Sequence, residues 1–380
     1  MISKIWAGMV LVLISLGPSV REQTAPPNSQ QGVRYLVLDE KKIPSVRQKL
    51  TEAAGNGFHI VAVAPKMKDG FTSGLTIILQ RNKEGAAARE YTLLDDQSIG
   101  LTGRVDEAAA KGFRVVTHGG FEHQRHDYGR DFSGSLIPAI IEQMIYGHDP
   151  YHASTIDHRK YDVRTMYMLM ERSDSRSAAP CEYFLIAPGE TAFLEGMRQG
   201  KNRIVAAEGS LWVIESCAIG FGIDTVTPEP VTIRSLPLSE KLEKDQNQLN
   251  AAAADGFHVS YAAGRHLTLE KGSSSGTLCE YQIVSNKSAS SLQKLLNSTG
   301  QFRLISGSLR VKLNFWGTEK LSAVLERVSG STTAYRYKIL RSSISRDMQS
   351  DLNDAANEGY TVRDLVRDDM GITAILEATR

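Results

Sequence analysis

The sequence predicts an α+β protein built from tandem β-α-β-β repeats, about six of them, forming mixed or antiparallel sheets with helices on one face. Three observations carry this. Four segments read alike: "LTEAAGNGFHIV" from Leu50, "VDEAAAKGFRVV" from Val105, "LNAAAADGFHVS" from Leu249 and "LNDAANEGYTVR" from Leu352. Upstream of each lies a short apolar segment suited to a strand. Downstream, each copy closes on a second apolar strand with a common ending.

The corners come first because their chemistry is the most specific. Ala-rich turns favour helix and allow close approach to a sheet. Gly57, Gly112, Gly256 and Gly359 suit the left-handed residue just past a helix end, so all four are expected to be helix stops. The aromatic after each glycine, Phe58, Phe113, Phe257 or Tyr360, can fold back onto the last turn while the chain leaves as a strand.

The opening strands are "VRYLVL" at Val33, "REYTLL" at Arg89, "VTIRSL" at Val231 and "AYRYKIL" at Ala334. "CEYFLI" at Cys181 and "CEYQIV" at Cys279 start the same way, with degenerate helices near Gly200 and Gly300. The closing strands end Leu79-Gln80-Arg81, Met170-Glu171-Arg172, Ile214-Glu215-Ser216, Leu269-Glu270-Lys271, Leu325-Glu326-Arg327 and Leu376-Glu377-Ala378. A recurring Glu points to a structural task, such as pairing with a Lys or Arg on the neighbouring strand. The first two strands of a unit, joined by a helix, are expected to run parallel in one sheet, and the last two to form a hairpin. The spatial arrangement of the units, as ring, row or pairs, stays open.

The boundaries that follow are 33–87, 88–178, 179–228, 229–276, 277–331 and 332–380, with an insertion at 121–163 in the second unit. Residues 1–19 read as a secretory signal peptide: Lys4, then an apolar run from Ile5 to Leu16, then Gly17, Pro18 and Ser19. That run is too short for a stable membrane span, and none is expected after cleavage. Residues 20–32 form a flexible leader. The chain is therefore expected to be exported, to a periplasm or outside the cell. Its three cysteines, Cys181, Cys217 and Cys279, allow one bridge in any of three pairings, or stand as buried small hydrophobes.

Charge excludes one class of partner. Lys plus Arg number 44 and Asp plus Glu 43, a net charge of +1, so no overall field draws the chain onto nucleic acid. An unknown protein or small molecule is the expected partner.

The repeat ending "LN", then Gly and an aromatic, with a Tyr near the start of its strand, matches Tyr337, Leu352, Asn353, Gly359 and Tyr360, and in part Leu249, Asn250, Gly256 and Phe257. In this it resembles a class of small uncharacterised bacterial strand-helix-strand-strand domains, which characteristically carry Trp where this chain has Phe or Tyr. The resemblance implies a fold and no catalytic residue.

One unit differs. Its insertion carries His123, His126, His148, His152 and His158, with His118 just before it and aromatics interleaved. His123, His126, His148 and His152, with Asp127, Asp149 and Asp157 nearby, could offer nitrogen and oxygen ligands to zinc or a similar divalent cation. The plainer reading is a polar, aromatic surface loop, since Pro150 separates His148 from His152 and no zinc-protease helix pattern is present. No cofactor and no catalytic residue is expected. Gly272 to Gly276 spells a nucleophile elbow and His118-Gly119-Gly120-Phe121 an oxyanion-hole segment, but neither has the required strand and helix context. The leading expectation is an exported, non-catalytic binding or scaffolding protein; the alternative is a metal-dependent enzyme or metal-binding protein centred on the insertion.

Overall fold

The computed structural model describes residues 33–68, 71–81, 89–96, 98–126, 161–173, 181–186, 202–208, 211–217, 232–239, 241–263, 266–271, 278–313, 319–368 and 370–380. The fold is α+β, with antiparallel sheets. The chain begins β1 (Arg34–Glu40), α1 (Ile43–Gly55), β2 (His59–Lys68), β3 (Phe71–Arg81) and continues β4 (Arg89–Asp96), α2 (Ser98–Ala110), β5 (Arg114–His126), β6 (Tyr161–Ser173). Strands β7 (Cys181–Ile186), β8 (Asn202–Glu208) and β9 (Leu211–Cys217) precede β10 (Thr232–Pro237), α3 (Leu242–Ala254), β11 (His258–Ala263) and β12 (His266–Lys271). Next come β13 (Cys279–Asn286), α4 (Ala289–Ser298), β14 (Arg303–Leu304), β15 (Arg310–Leu313) and β16 (Glu319–Val328). The chain ends with β17 (Tyr335–Ser342), α5 (Ser345–Asn357), β18 (Thr361–Asp368) and β19 (Gly371–Thr379).

Among the described residues, four of the five helices end in the same way. Gly57, Gly112, Gly256 and Gly359 have φ of 76°, 88°, 88° and 87°. Each glycine N–H bonds three residues back, and the N–H of the following aromatic bonds five back, as in Gly359 to Ala356 and Tyr360 to Ala355. That double bond pattern is a Schellman stop, and it aims the chain straight into the next strand.

Strand directions match the sequence expectation, and the structure adds the order. The first and second strands do run parallel to each other, but the third lies between them, antiparallel to both: β1-β3-β2, β7-β9-β8, β10-β12-β11 and β17-β19-β18. The reason lies in burial. Along β19 every residue from Gly371 to Ala378 is buried, whereas β17 and β18 are half-exposed except at Tyr337, Asp364 and Leu365. A strand apolar on both faces belongs in the centre. The β13–β16 unit has a further difference, its second strand being split into β14 and β15 by residues 305–309. Sheets of the first two units meet at one parallel bridge, Thr72 to Phe121.

Helix placement is richer than one covered face. The helix of a unit packs on one side of its own sheet, and the helix of the preceding unit covers the other side. Helix α1 supplies Ile43, Val46, Leu50 and Ala53 to a core shared by Leu75, Ile77 and Leu79 of its own sheet and by Tyr91, Leu93, Tyr167 and Leu169 of the next. The same sharing joins α2 to Tyr183 and Val213, α3 to Tyr281 and Val324, and α4 to Tyr337 and Ile375. Helix α5, the last, shares its core with Tyr35, Val37 and Ile78 of the first sheet. The end of the chain thereby packs on its beginning, and β8 lies beside both β5 and β11.

Candidate functional site

The joints between units are where polar side chains gather, and most are built on a tyrosine; the β10 sheet has Ile233 at that place. In four units the first-strand tyrosine stands opposite the closing-strand acid: Tyr91 opposite Glu171, Tyr183 opposite Glu215, Tyr281 opposite Glu326 and Tyr337 opposite Glu377. In the first sheet Tyr35 stands opposite Gln80.

Each phenol also reaches out of its own sheet. Second strands carry a bulge at a matched place, between Ile60 and Ala62, Val115 and Thr117, Val259 and Tyr261, and Val362 and Asp364. A bulge leaves a backbone N–H without a ladder partner. The phenol of the next unit accepts it: Ile60 N–H to Tyr91 Oη at 2.8 Å, Val115 to Tyr183 at 3.4 Å and Val259 to Tyr281 at 2.8 Å; in the split strand Leu304 N–H, at the end of β14, bonds Tyr337 in the same way at 2.9 Å. The last bulge bonds the first unit, Val362 N–H to Tyr35 Oη at 3.3 Å. The phenol proton is used as well, donated by Tyr183 to Glu215 Oε1 at 2.6 Å and by Tyr91 to Glu171 Oε2 at 3.1 Å. Burial pushes these phenols up, Tyr35 to about 12, so they remain neutral donors at any ordinary pH.

Helix amides complete the joint. Asn353 Oδ1 accepts Tyr35 N–H at 2.8 Å and Gln349 Oε1 accepts Val37 N–H at 3.1 Å. Asn297 and Gln293 do the same for Tyr337 and Ile339, and Asn250 and Gln246 for Tyr281 and Ile283. An exposed strand edge is thus capped by the helix that packs on it.

The basic residue after the closing-strand acid has its own task. Arg81 donates to Asn56 O at 3.3 Å and lies over the Phe58 ring, and Arg172 donates to Lys111 O at 3.1 Å over Phe113. These cations cap helix C-termini, where the dipole favours positive charge. Where the last unit has Ala378, Arg336 of β17 takes over, donating to Glu358 O and covering Tyr360.

Ion pairs support the acids, Arg89 to Glu171 at 2.5 Å, Arg303 to Glu377 at 3.0 Å and Arg114 to Glu215 at 3.6 Å. His59 joins the first of these clusters, and burial, then the Arg89 charge, hold its imidazole below the ordinary range against the opposing pull of Glu171. Sequence reasoning missed the phenol contacts entirely; the signal available was the recurrence of Tyr in the opening strands with Glu in the closing ones.

Of the four histidine candidates only the backbone of two is described. His123 and His126 lie on the backbone of the far part of β5, with His126 in register with Tyr161, and their side chains lie outside the described residues. His148 and His152 fall in 127–160, also outside them. Strands β5 and β6 run to His126 and from Tyr161, so the ladder extends into the expected insertion at both ends. His118, Gly119, Gly120 and Phe121 are ladder residues of β5, paired with Met168, Tyr167, Met166 and Thr165. The Gly272 to Gly276 stretch is undescribed, between the end of β12 and the start of β13. Among the described residues no group of three His, Cys, Asp or Glu could hold a metal ion, and no helix is long and apolar enough to cross a membrane.

Cys181 is disulfide-bonded, and Cys217 stands directly opposite it on β9. Cys279, at the matching place in β13, faces Val328 and is free; burial, then Glu326, push its thiol up. No family model, curated protein or solved structure matches the chain.

Proposed function

We propose that the chain is an exported protein in which six copies of one strand-helix-strand-strand unit close into a ring, and that it acts by binding or scaffolding without catalysis. The observation that carries this reading is the tyrosine joint. A phenol paired with an acid meets a second-strand N–H of the preceding unit at Tyr91, Tyr183, Tyr281 and Tyr337, the β10 sheet having Ile233 there instead, and the last unit meets the first through Tyr35, Asn353 and Gln349. Acids and phenols that could serve chemistry are occupied in holding units together, and their repetition from joint to joint suits a frame better than a single reaction centre. Export is supported by the apolar N-terminal run and by the Cys181 disulfide, which persists in oxidising compartments.

In this reading the partner is a protein or small molecule, met at the end of the units where the second and third strands turn. There the β5 and β6 arms are the longest strands among the described residues, thirteen residues each. The test is recovery of a partner from the native compartment by the full chain and by a variant with 127–160 replaced by a short Gly-Ser turn. Specific recovery lost in the variant, with unchanged melting, supports the reading. Stoichiometric zinc in the purified chain, lost on His123 and His148 substitution, would replace it with a metal-dependent function.

A further inference from the structure

Five of the six joints that a ring requires carry a phenol: Tyr91, Tyr183, Tyr281, Tyr337 and Tyr35 each accept a second-strand N–H of the unit before. The sixth, between the β7–β9–β8 sheet and the β10–β12–β11 sheet, does not. Ile233 holds the phenol's place in β10, and an aliphatic side chain has no oxygen to accept an N–H. The parts on either side of that place are kept. Strand β8 carries the bulge, between Ile204 and Ala206. Glu270 stands in register with Ile233 on one side and His258 on the other, where Glu171, Glu215, Glu326 and Glu377 meet their tyrosines. What the register lacks is the tyrosine between acid and bulge.

Among the described residues β10 is also the most exposed of the first strands. Thr232, Arg234, Ser235 and Pro237 are all exposed, whereas β1 exposes Arg34 alone, β13 Glu280 alone and β17 none. Ser235 occupies the position at which the amides of Val37, Ile283 and Ile339 are capped by Gln349, Gln246 and Gln293. A first strand this open buries little surface against the unit before it, so apolar packing adds little to a joint that already lacks its phenol. We propose that this joint is a seam at which the ring opens, β8 and β11, which run side by side there, parting while the five tyrosine joints hold. The inference rests on the ring reading of the chain.

The test is a pair of spin-label distance measurements on the full chain in a Cys279→Ser background. Labels on Glu182→Cys of β7 and Ser235→Cys of β10 span the seam; labels on Arg34→Cys of β1 and Asn357→Cys of α5 span the closing joint, and all four positions are exposed. The seam pair is expected to give two distances, a short closed one and a longer open one, and the closing pair a single narrow one. Ile233→Tyr returns a phenol to the register position of Glu270 and is expected to cut the longer population about fivefold, the worth of one net hydrogen bond. Ile233→Phe returns the ring without the oxygen and is expected to leave that population unchanged. One narrow distance at the seam, or equal effects of the two variants, overturns the seam and leaves the ring reading standing. A spread of distances at the closing pair overturns the ring reading itself. If Ile233→Tyr does not fold, the two wild-type distributions decide.

Discussion

Removal of a single hydroxyl, Tyr337→Phe, isolates the energy of one joint. The phenol oxygen accepts Leu304 N–H at 2.9 Å, lies 2.9 Å from Phe302 O, to which it donates, and 3.3 Å from Glu377 Oε2. Phenylalanine keeps the ring and so opens no cavity beyond the lost oxygen. Leu304 and Tyr337 are both buried, so the Leu304 N–H is left without a partner, at a cost of about 1–3 kcal/mol. Glu377 retains Arg303 at 3.0 Å, which keeps the loss toward the lower part of that range. The assay is denaturant unfolding followed by fluorescence or circular dichroism, with Tyr335→Phe as control. Tyr335 lies under the Arg303 guanidinium and its variant should stay within about 0.5 kcal/mol. A Tyr337→Phe loss no larger than the control's would refute the idea that the phenol holds the joint at Leu304.

Two further changes probe other links. Gly359→Val and Gly256→Val should each destabilise by more than about 1 kcal/mol, since a β-branched residue is strained at positive φ. Gly359 is the cleaner site, having nothing within 4 Å of an added Cβ, so any loss there reports backbone strain alone; unchanged melting in both variants would contradict the helix-stop role. Val328→Cys places a thiol opposite Cys279 as Cys217 is opposite Cys181. Alkylation under denaturing, non-reducing conditions should then find no free thiol, and two reactive thiols would show that the register is wrong.

Legibility in the sequence followed the locality of the physics. A Schellman stop is written within six residues, so Gly57, Gly112, Gly256 and Gly359 with their aromatics could be read directly. Strand order was not local. A helix between two strands suggests that they are neighbours, yet the central place goes to the strand with two apolar faces, and "GITAILEA" carried that signal without spacing to announce it. The Leu-Glu-Arg ending was visible as a string, but its use was split among three partners. The leucine faces its own helix, the acid meets a phenol, and the arginine lies over the aromatic that follows the helix. Only the acid's structural task was anticipated. The joints themselves depend on side chains far apart in sequence, such as Tyr35 and Asn353, for which periodicity offers no guide.

Closure of the chain on itself is the claim most open to direct measurement, by amide hydrogen exchange at Tyr35 and Val37. Both amides point away from the β3 ladder and are bonded by Asn353 and Gln349 of the last helix. The account predicts slow exchange at both in the wild type and fast exchange in Asn353→Ala combined with Gln349→Ala, with the rest of β1 still protected. Fast exchange of these two amides in the intact wild-type protein would mean that the ends do not meet.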